Sequence, residues 1–138
     1  MRQSLTILTF DTSGRGFREI THEVNGWIRS TGILAGQLTL FCRHTSAGLM
    51  ITENASPAVR RDLLRWLDSA VPEGGRYEHN DEGPDDMPAH IKAVLTGNSL
   101  TIPLSDGKMM LGIWQGVFLV EHRHVAHNRS VVAQAMGD

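Results

Sequence analysis

Apolar and polar positions alternate from Gln3 to Phe10, with Leu5 and Ile7 on one side and Thr6 and Leu8 on the other. The stretch is rich in β-forming residues, so the spacing predicts a strand. At Ile20, Val24, Trp27 and Ile28 the period becomes helical, and Gly32 can close that helix in the left-handed conformation. Alternation returns from Gly36 to Arg43, where Leu38, Leu40 and Cys42 oppose Thr39 and Phe41. The chain then enters His44-Thr45-Ser46-Ala47-Gly48 and a short apolar strand, Leu49 to Ile51.

Ser56-Pro57 is a strong helix start, a hydroxyl cap followed by a proline whose missing N–H does no harm there. Val59, Leu63, Trp66, Leu67 and Ala70 give this helix an apolar stripe, and Pro72 ends it. Glu73 to Met87 is too polar and glycine-rich for a core element, and ordered loops of that length are usually functional or mobile. Pro88 opens a short helix to about Leu95, with Gly97 as its stop. Beyond it the pattern is all strand. Ser99 to Leu104 and Met109 to His124 flank a hairpin turn at Ser105-Asp106-Gly107-Lys108, and Ser130 to Met136 closes the sheet. Val117 to Val120 is apolar on both faces, as in a strand covered on both sides. These elements predict an α+β fold, and 138 residues leave room for one domain, residues 1–138, around one core.

Composition narrows the function classes. Hydrophobic residues make up 41%, enough for an ordinary core. Lysine and arginine number 13 against a formal net charge of -2 and form no run, which argues against nucleic acid as a partner. Arg60, Arg61 and Arg65 share a helix with Asp62 and Asp68 and read as a solvated face. The single cysteine, Cys42, sits in an apolar strand, so an inert buried thiol in a reducing compartment is expected. No secretory pattern and no apolar stretch of the roughly 20 residues that span a bilayer is present. A soluble cytoplasmic protein without a membrane partner is expected.

The densest polar constellation runs from Glu78 to His90: two histidines and five carboxylates within 13 residues, shaped by Gly83 and two prolines. Desolvated, these acids would repel one another, so they need bulk water or a cation. Imidazole plus carboxylate suits zinc, manganese or iron(II). The competing reading is a solvated acidic loop with incidental histidines. A second candidate is His44-Thr45-Ser46, a histidine and two hydroxyls at a strand end where small residues allow close approach of a ligand such as a phosphate. A third is Glu121-His122-Arg123-His124, where His122 and His124 would share a strand face and could clamp a metal. Gln115, inside an apolar strand, would either bond a ligand or tie strands together. No dinucleotide or Walker-type glycine motif is present, and the acidic stretch lacks calcium-loop spacing.

Taken in order, His44-Thr45-Ser46-Ala47, Asn54, the Glu78–Lys92 block, Ser99-Leu100, Gly112–Gly116 and Glu121-His122-Arg123 resemble the YjbQ family, also labelled secondary thiamine-phosphate synthase. The resemblance implies a mixed, mainly antiparallel sheet or sandwich with two or three helices, assembled as a homotrimer with clefts near subunit contacts. It implies a divalent metal, zinc first with magnesium or manganese as alternatives, faced by His44, His79, His90 and His122. Glu82, Asp86, Gln115 and Arg123 would be the catalytic groups, and Thr45, Ser46 and Asn54 would bind substrate. The family pattern usually has threonine where this chain has Ile113, and His124 and His127 lie outside it. The implied reaction joins an aminopyrimidine diphosphate to a thiazole phosphate, giving thiamine phosphate and pyrophosphate, with the cation neutralising the leaving group. The alternatives are a metal-dependent hydrolase with Glu82 or Asp86 as base, and a non-catalytic trimeric protein that binds a metabolite or metal.

Overall fold

The computed structural model describes residues 1–138. Eight strands and three helices follow one another as β1 (Arg2–Thr12), β2 (Gly16–Glu19), α1 (Thr21–Thr31), β3 (Gly36–Cys42), β4 (Ala47–Glu53), α2 (Pro57–Ala70), α3 (Asp86–Thr96), β5 (Ser99–Ser105), β6 (Lys108–Met109), β7 (Gln115–Glu121) and β8 (His127–Gly137). They form a five-stranded sheet in the order β1-β8-β3-β5-β6 and a three-stranded sheet in the order β2-β7-β4. Every pairing is antiparallel. The α+β class, the mainly antiparallel sheets and the three helices agree with the sequence reading. None of the helices is long and apolar enough to cross a membrane.

The core lies between the inner faces of the sheets. Leu38, Leu40, Ile102, Val131 and Ala133 meet Ala47, Leu49, Val117 and Leu119, and α1 inserts Val24 and Ile28. Burial of such side chains stabilises the fold by roughly 1.5–3 kcal/mol each. β7 is covered on both sides, as its apolar run predicts, and Val117 through Glu121 are all at most 1% exposed. Phe17 packs edge-on against Phe118, and the Arg60 guanidinium lies 5.3 Å from the centre of the Phe118 ring. Arg60 is therefore packed over the sheet and does not belong to a freely solvated face. Cys42 is buried, which pushes its thiol pKa up. Gly32 closes α1 with φ 75°, and Asp106 and Gly107 both have positive φ, as the hairpin turn requires.

The expected strand from Met109 to His124 is interrupted and stops at Glu121, so His122 and His124 lie beyond it and share no strand face. β6 pairs with β5 in the large sheet, whereas β7 pairs with β2 and β4 in the small one, so residues 110–114 carry the chain across. β2 carries no alternation and its pairing comes from β7. On α2, Trp66 is 61% exposed and only Leu67 is fully buried, so the apolar stripe is not a core stripe along its length.

One close approach positions the site. A Cβ on Gly48 would lie 2.4 Å from the Gly97 carbonyl oxygen. With hydrogen there instead, the Leu49 N–H reaches that carbonyl at 3.0 Å, and the Cys42 N–H reaches the Asn98 carbonyl at 2.8 Å. α3 is thereby pressed against the start of β4, beside His44 and Thr45.

Candidate metal centre

α3 starts inside the acidic block, two residues before the predicted Pro88, and this brings Asp86 and His90 onto one face one turn apart. The preceding loop folds back over that face. The result places one ligand atom each from His79, Glu82, Asp86 and His90 within 4.8 Å of one another. Asp86 is the centre of the group: His79 Nε2 is 2.7 Å and His90 Nε2 3.0 Å from the same carboxylate oxygen, Oδ2. Glu82 lies 3.2 Å from His79 Nε2 with a mostly exposed side chain.

The tautomer of His90 decides what this arrangement can hold. Its Nδ1 donates to the Thr45 carbonyl at 2.9 Å, so a neutral ring points the bare lone pair of Nε2 at the Asp86 carboxylate. Two lone pairs 3.0 Å apart repel unless a second proton or a cation sits between them. A backbone carbonyl fixing the far nitrogen is the arrangement that aims metal-binding imidazoles. The other Asp86 oxygen accepts from Arg123 NH1 at 2.6 Å. Burial alone would raise the Asp86 pKa, but the His79 hydrogen bond and the charges of His90 and Arg123 outweigh it and hold the carboxyl below its ordinary range. The hydrogen bond to Asp86, with the nearby Asp86, Asp81 and Glu82 charges, raises the His79 pKa. Two imidazole nitrogens, one buried carboxylate and a second carboxylate at the rim fit a divalent cation of the zinc class.

The other predicted residues are dispersed. Arg123 is close and turned into the loop: its guanidinium donates to Asp85 at 3.0 Å, to Asp86, and to the Glu82 carbonyl at 3.1 Å. It clamps the loop. His122 is 2% exposed and sits beneath α3, where Thr96 Oγ1 is 3.2 Å from its Nε2. Burial first, then the neighbouring Lys92 charge, lowers its pKa to about 4. It is a buried neutral imidazole and is not part of the cluster, and His124 instead faces Glu73, so the two do not clamp an ion. His44 also stands outside the ligand group, because its Nε2 accepts the Ser130 backbone N–H at 2.8 Å. It does share a cleft of about 430 Å³ with Thr45, His90, Ala93, Val94 and Asn98.

Ser46 is buried and its hydroxyl accepts from Arg129 at 2.9 Å, which removes it from substrate contact. Asn54 and Gln115 lie at the far end of β4 and β7, since Glu53 pairs with Gln115 where Ala47 pairs with Glu121. Six residues along a strand is roughly 20 Å. There Asn54 donates to Glu19 at 3.0 Å, and Gln115, which is exposed, accepts the Gly112 N–H at 2.7 Å. The sequence reading missed Asp85, whose carboxylate also accepts the His124 N–H at 2.9 Å, and it missed Asn98. The paired aspartates ahead of the helix were the available signal for the first; nothing local marks the second.

A family model described as UPF0047 protein YjbQ-like matches residues 6–138. Among similar proteins, a UPF0047 protein of Synechocystis sp. is 44% identical over 138 residues, 99% of this chain and 94% of its own length. The UPF0047 protein YjbQ of Escherichia coli is 41% identical over 132 residues, covering 95% and 96% of the two chains. A crystal structure of an uncharacterised YjbQ/UPF0047 protein from Clostridium acetobutylicum superposes with a TM-score of 0.88 at 36% identity, over 95% of this chain and 99% of that one. A protein of unknown function from Sulfolobus solfataricus, 21% identical, shares the fold with a TM-score of 0.87 over 99% and 100% of the chains.

Proposed function

The chain belongs to the UPF0047 protein YjbQ-like family, and from that premise we propose that it is a metal-dependent enzyme acting on a small metabolite. In this reading His79, His90 and Asp86 hold a divalent cation, zinc first, and the adjoining cleft seats the substrate. The observation that carries it is the convergence of His79 Nε2 and His90 Nε2 on one Asp86 carboxylate oxygen at 2.7 and 3.0 Å, with the far side of the His90 imidazole tied to the Thr45 carbonyl. When bound, the cation supplies Lewis acidity to a reacting oxygen. Glu82, exposed and 3.2 Å from His79, is placed to take a proton from water as general base. Arg123 and Asp85 hold the loop so that these groups stay convergent.

Hydrolysis is the reaction class the geometry favours over the transfer that forms thiamine phosphate. Transfer between two phosphorylated substrates needs cations for both the pyrophosphate and the acceptor phosphate. The cleft is lined by no lysine or arginine, and Arg123 is already engaged. Purified protein should turn over a member of a panel of esters, amides and phosphate esters in a chelator-sensitive way. Lack of any metal-dependent turnover, together with rescue of a thiamine-requiring host that persists in His79→Ala and His90→Ala, would return the assignment to transfer without this centre. Metal retained without turnover would leave the binding-protein reading.

The partner proposed is a second and third copy of the chain. The outward face of the large sheet, through Leu5, Ile7, Phe41, Val132 and Met136, bears no charged side chain in its middle, and Leu5 is 64% exposed. An uncharged face of this size is what subunit association buries. Sedimentation equilibrium should return the mass of three 15.2-kDa chains, and Ile7→Lys with Phe41→Glu should return one.

A further inference from the structure

The cleft beside the metal cluster contains a histidine whose role differs from that of His79 and His90. The backbone N–H of Ser130 can only donate, and it reaches His44 Nε2 at 2.8 Å. Nε2 is therefore the unprotonated nitrogen, and the proton of the neutral ring must sit on Nδ1. Within the chain Nδ1 has no hydrogen-bond partner, and it is not sealed from solvent. Burial first, then the Arg129 charge, lowers the His44 pKa, in keeping with a neutral ring.

Its surroundings set what such a donor can meet. The cleft wall includes His90, which also belongs to the metal cluster, so a ligand in the cleft borders both. The remaining lining is neutral: Thr45 and Asn98 offer polar groups, and Ala93 and Val94 form an apolar side, with Val94 83% exposed. A phosphomonoester dianion is ordinarily met by arginine or lysine, and neither lines this space. An acyl group carries an acceptor oxygen beside an apolar carbon, which matches one neutral N–H next to an apolar wall.

We infer that His44 is a neutral Nδ1–H donor to the carbonyl oxygen of an acyl substrate in the cleft between α3 and Thr45, and is not a metal ligand. This rests on the metal-enzyme reading for the second contact, the cation held at His79, Asp86 and His90. Against the unligated ground state, such a donor stabilises the oxygen as charge builds on it during attack at the carbonyl carbon.

The test separates the donor from the metal. In ¹⁵N-histidine spectra of the chain without metal, the His44 ring should show the Nδ1-protonated tautomer, unchanged when zinc is added. His44→Ala should bind zinc within about twofold of the wild type. It should bind acetohydroxamate, a carbonyl-bearing probe that also reaches zinc, roughly tenfold more weakly, while inorganic phosphate affinity moves less than twofold. His44→Asn, whose amide nitrogen can occupy the place of Nδ1, should recover most of the loss. An Nε2-protonated ring, a hundredfold loss of zinc in His44→Ala, or an equal loss of phosphate and acetohydroxamate would each overturn the assignment. A wild-type chain that binds no zinc removes the metal reading alone. The ring tautomer, and the dependence on His44 of acetohydroxamate-induced shifts at Thr45 and Asn98, then still support the donor or overturn it.

Discussion

Two polar regions lie on either side of Ser46 and Thr45, and both are crowded with charge, yet they are built for opposite ends. In the first, the buried Glu121 carboxylate accepts from Thr12 at 2.7 Å, from Arg129 Nε at 2.7 Å and from the Arg123 N–H at 3.1 Å, with a further Arg129 contact on its second oxygen. Arg129 also donates to the Ser46 hydroxyl and carbonyl. Donors and acceptors balance. In the second, one ligand atom each from His79, Glu82, Asp86 and His90 converges within 4.8 Å, and both imidazoles meet the same Asp86 oxygen. Burial pushes the carboxylate upward in both places, and in both the neighbours overcome it. Density of charge therefore does not by itself mark a site. The closed network ties β7 to β1 and β8 and fixes Ser46, and the open one is where the proposed cation would sit.

The comparison can be broken from the closed side first. Arg129→Ala leaves Glu121 buried without its cation and should cost about 3–5 kcal/mol in denaturant unfolding, with zinc affinity of the folded fraction unchanged. Equal loss of zinc binding would show that the two regions are one unit. From the open side, His90→Ala should weaken zinc binding on the order of 10²–10³-fold by chelator competition, while unfolding of the metal-free chain shifts little. A stability loss of several kcal/mol with no change in zinc would reverse the roles assigned to the two regions.

His122, beneath α3, extends the closed class. Its folded pKa of about 4 lies below the ordinary 6.5, so the unfolded chain takes up the proton first as pH falls. Its contribution is whole above about pH 6.5 and is lost between there and about pH 4, roughly 3 kcal/mol in all. Urea unfolding across that window should show the slope, and His122→Gln should flatten it. The smallest effect belongs to the clamp between the regions. Arg123→Ala should weaken zinc about 10–100-fold, as removal of outer supports does, with Arg123→Lys recovering part of it. A loss as large as that of His90→Ala would make Arg123 more than a support.

Much of the site was legible locally. His79, Glu82, Asp86 and His90 fall in one short block, and Asp86 and His90 stand four apart, so helical geometry alone brings that pair together. Gln115 and Asn54 were drawn to the same place by family order, but Gln115 starts β7 and Asn54 follows β4 at the opposite end of that strand pair, where Asn54 meets Glu19. For His122 and Arg123 the strand was read too far: β7 ends at Glu121, and the chain turns there. Arg123 turned toward Asp85 and Asp86, and His122 went under the helix to Thr96.

The α+β class, most strand and helix positions, the hairpin turn at Asp106-Gly107 and the loop rich in acids were all readable from periodicity and residue type. Those signals depend on neighbours a few residues apart, and so do strands, helices and turns. Whether a lone pair is answered depends on partners far along the chain. Arg129 reaches Ser46 across 83 positions, Arg123 reaches Asp86 across 37, and Ser130 reaches His44 across 86. Only the packing of the two sheets and α3 brings those donors to their acceptors, and so only the folded chain separates the closed network from the open cluster.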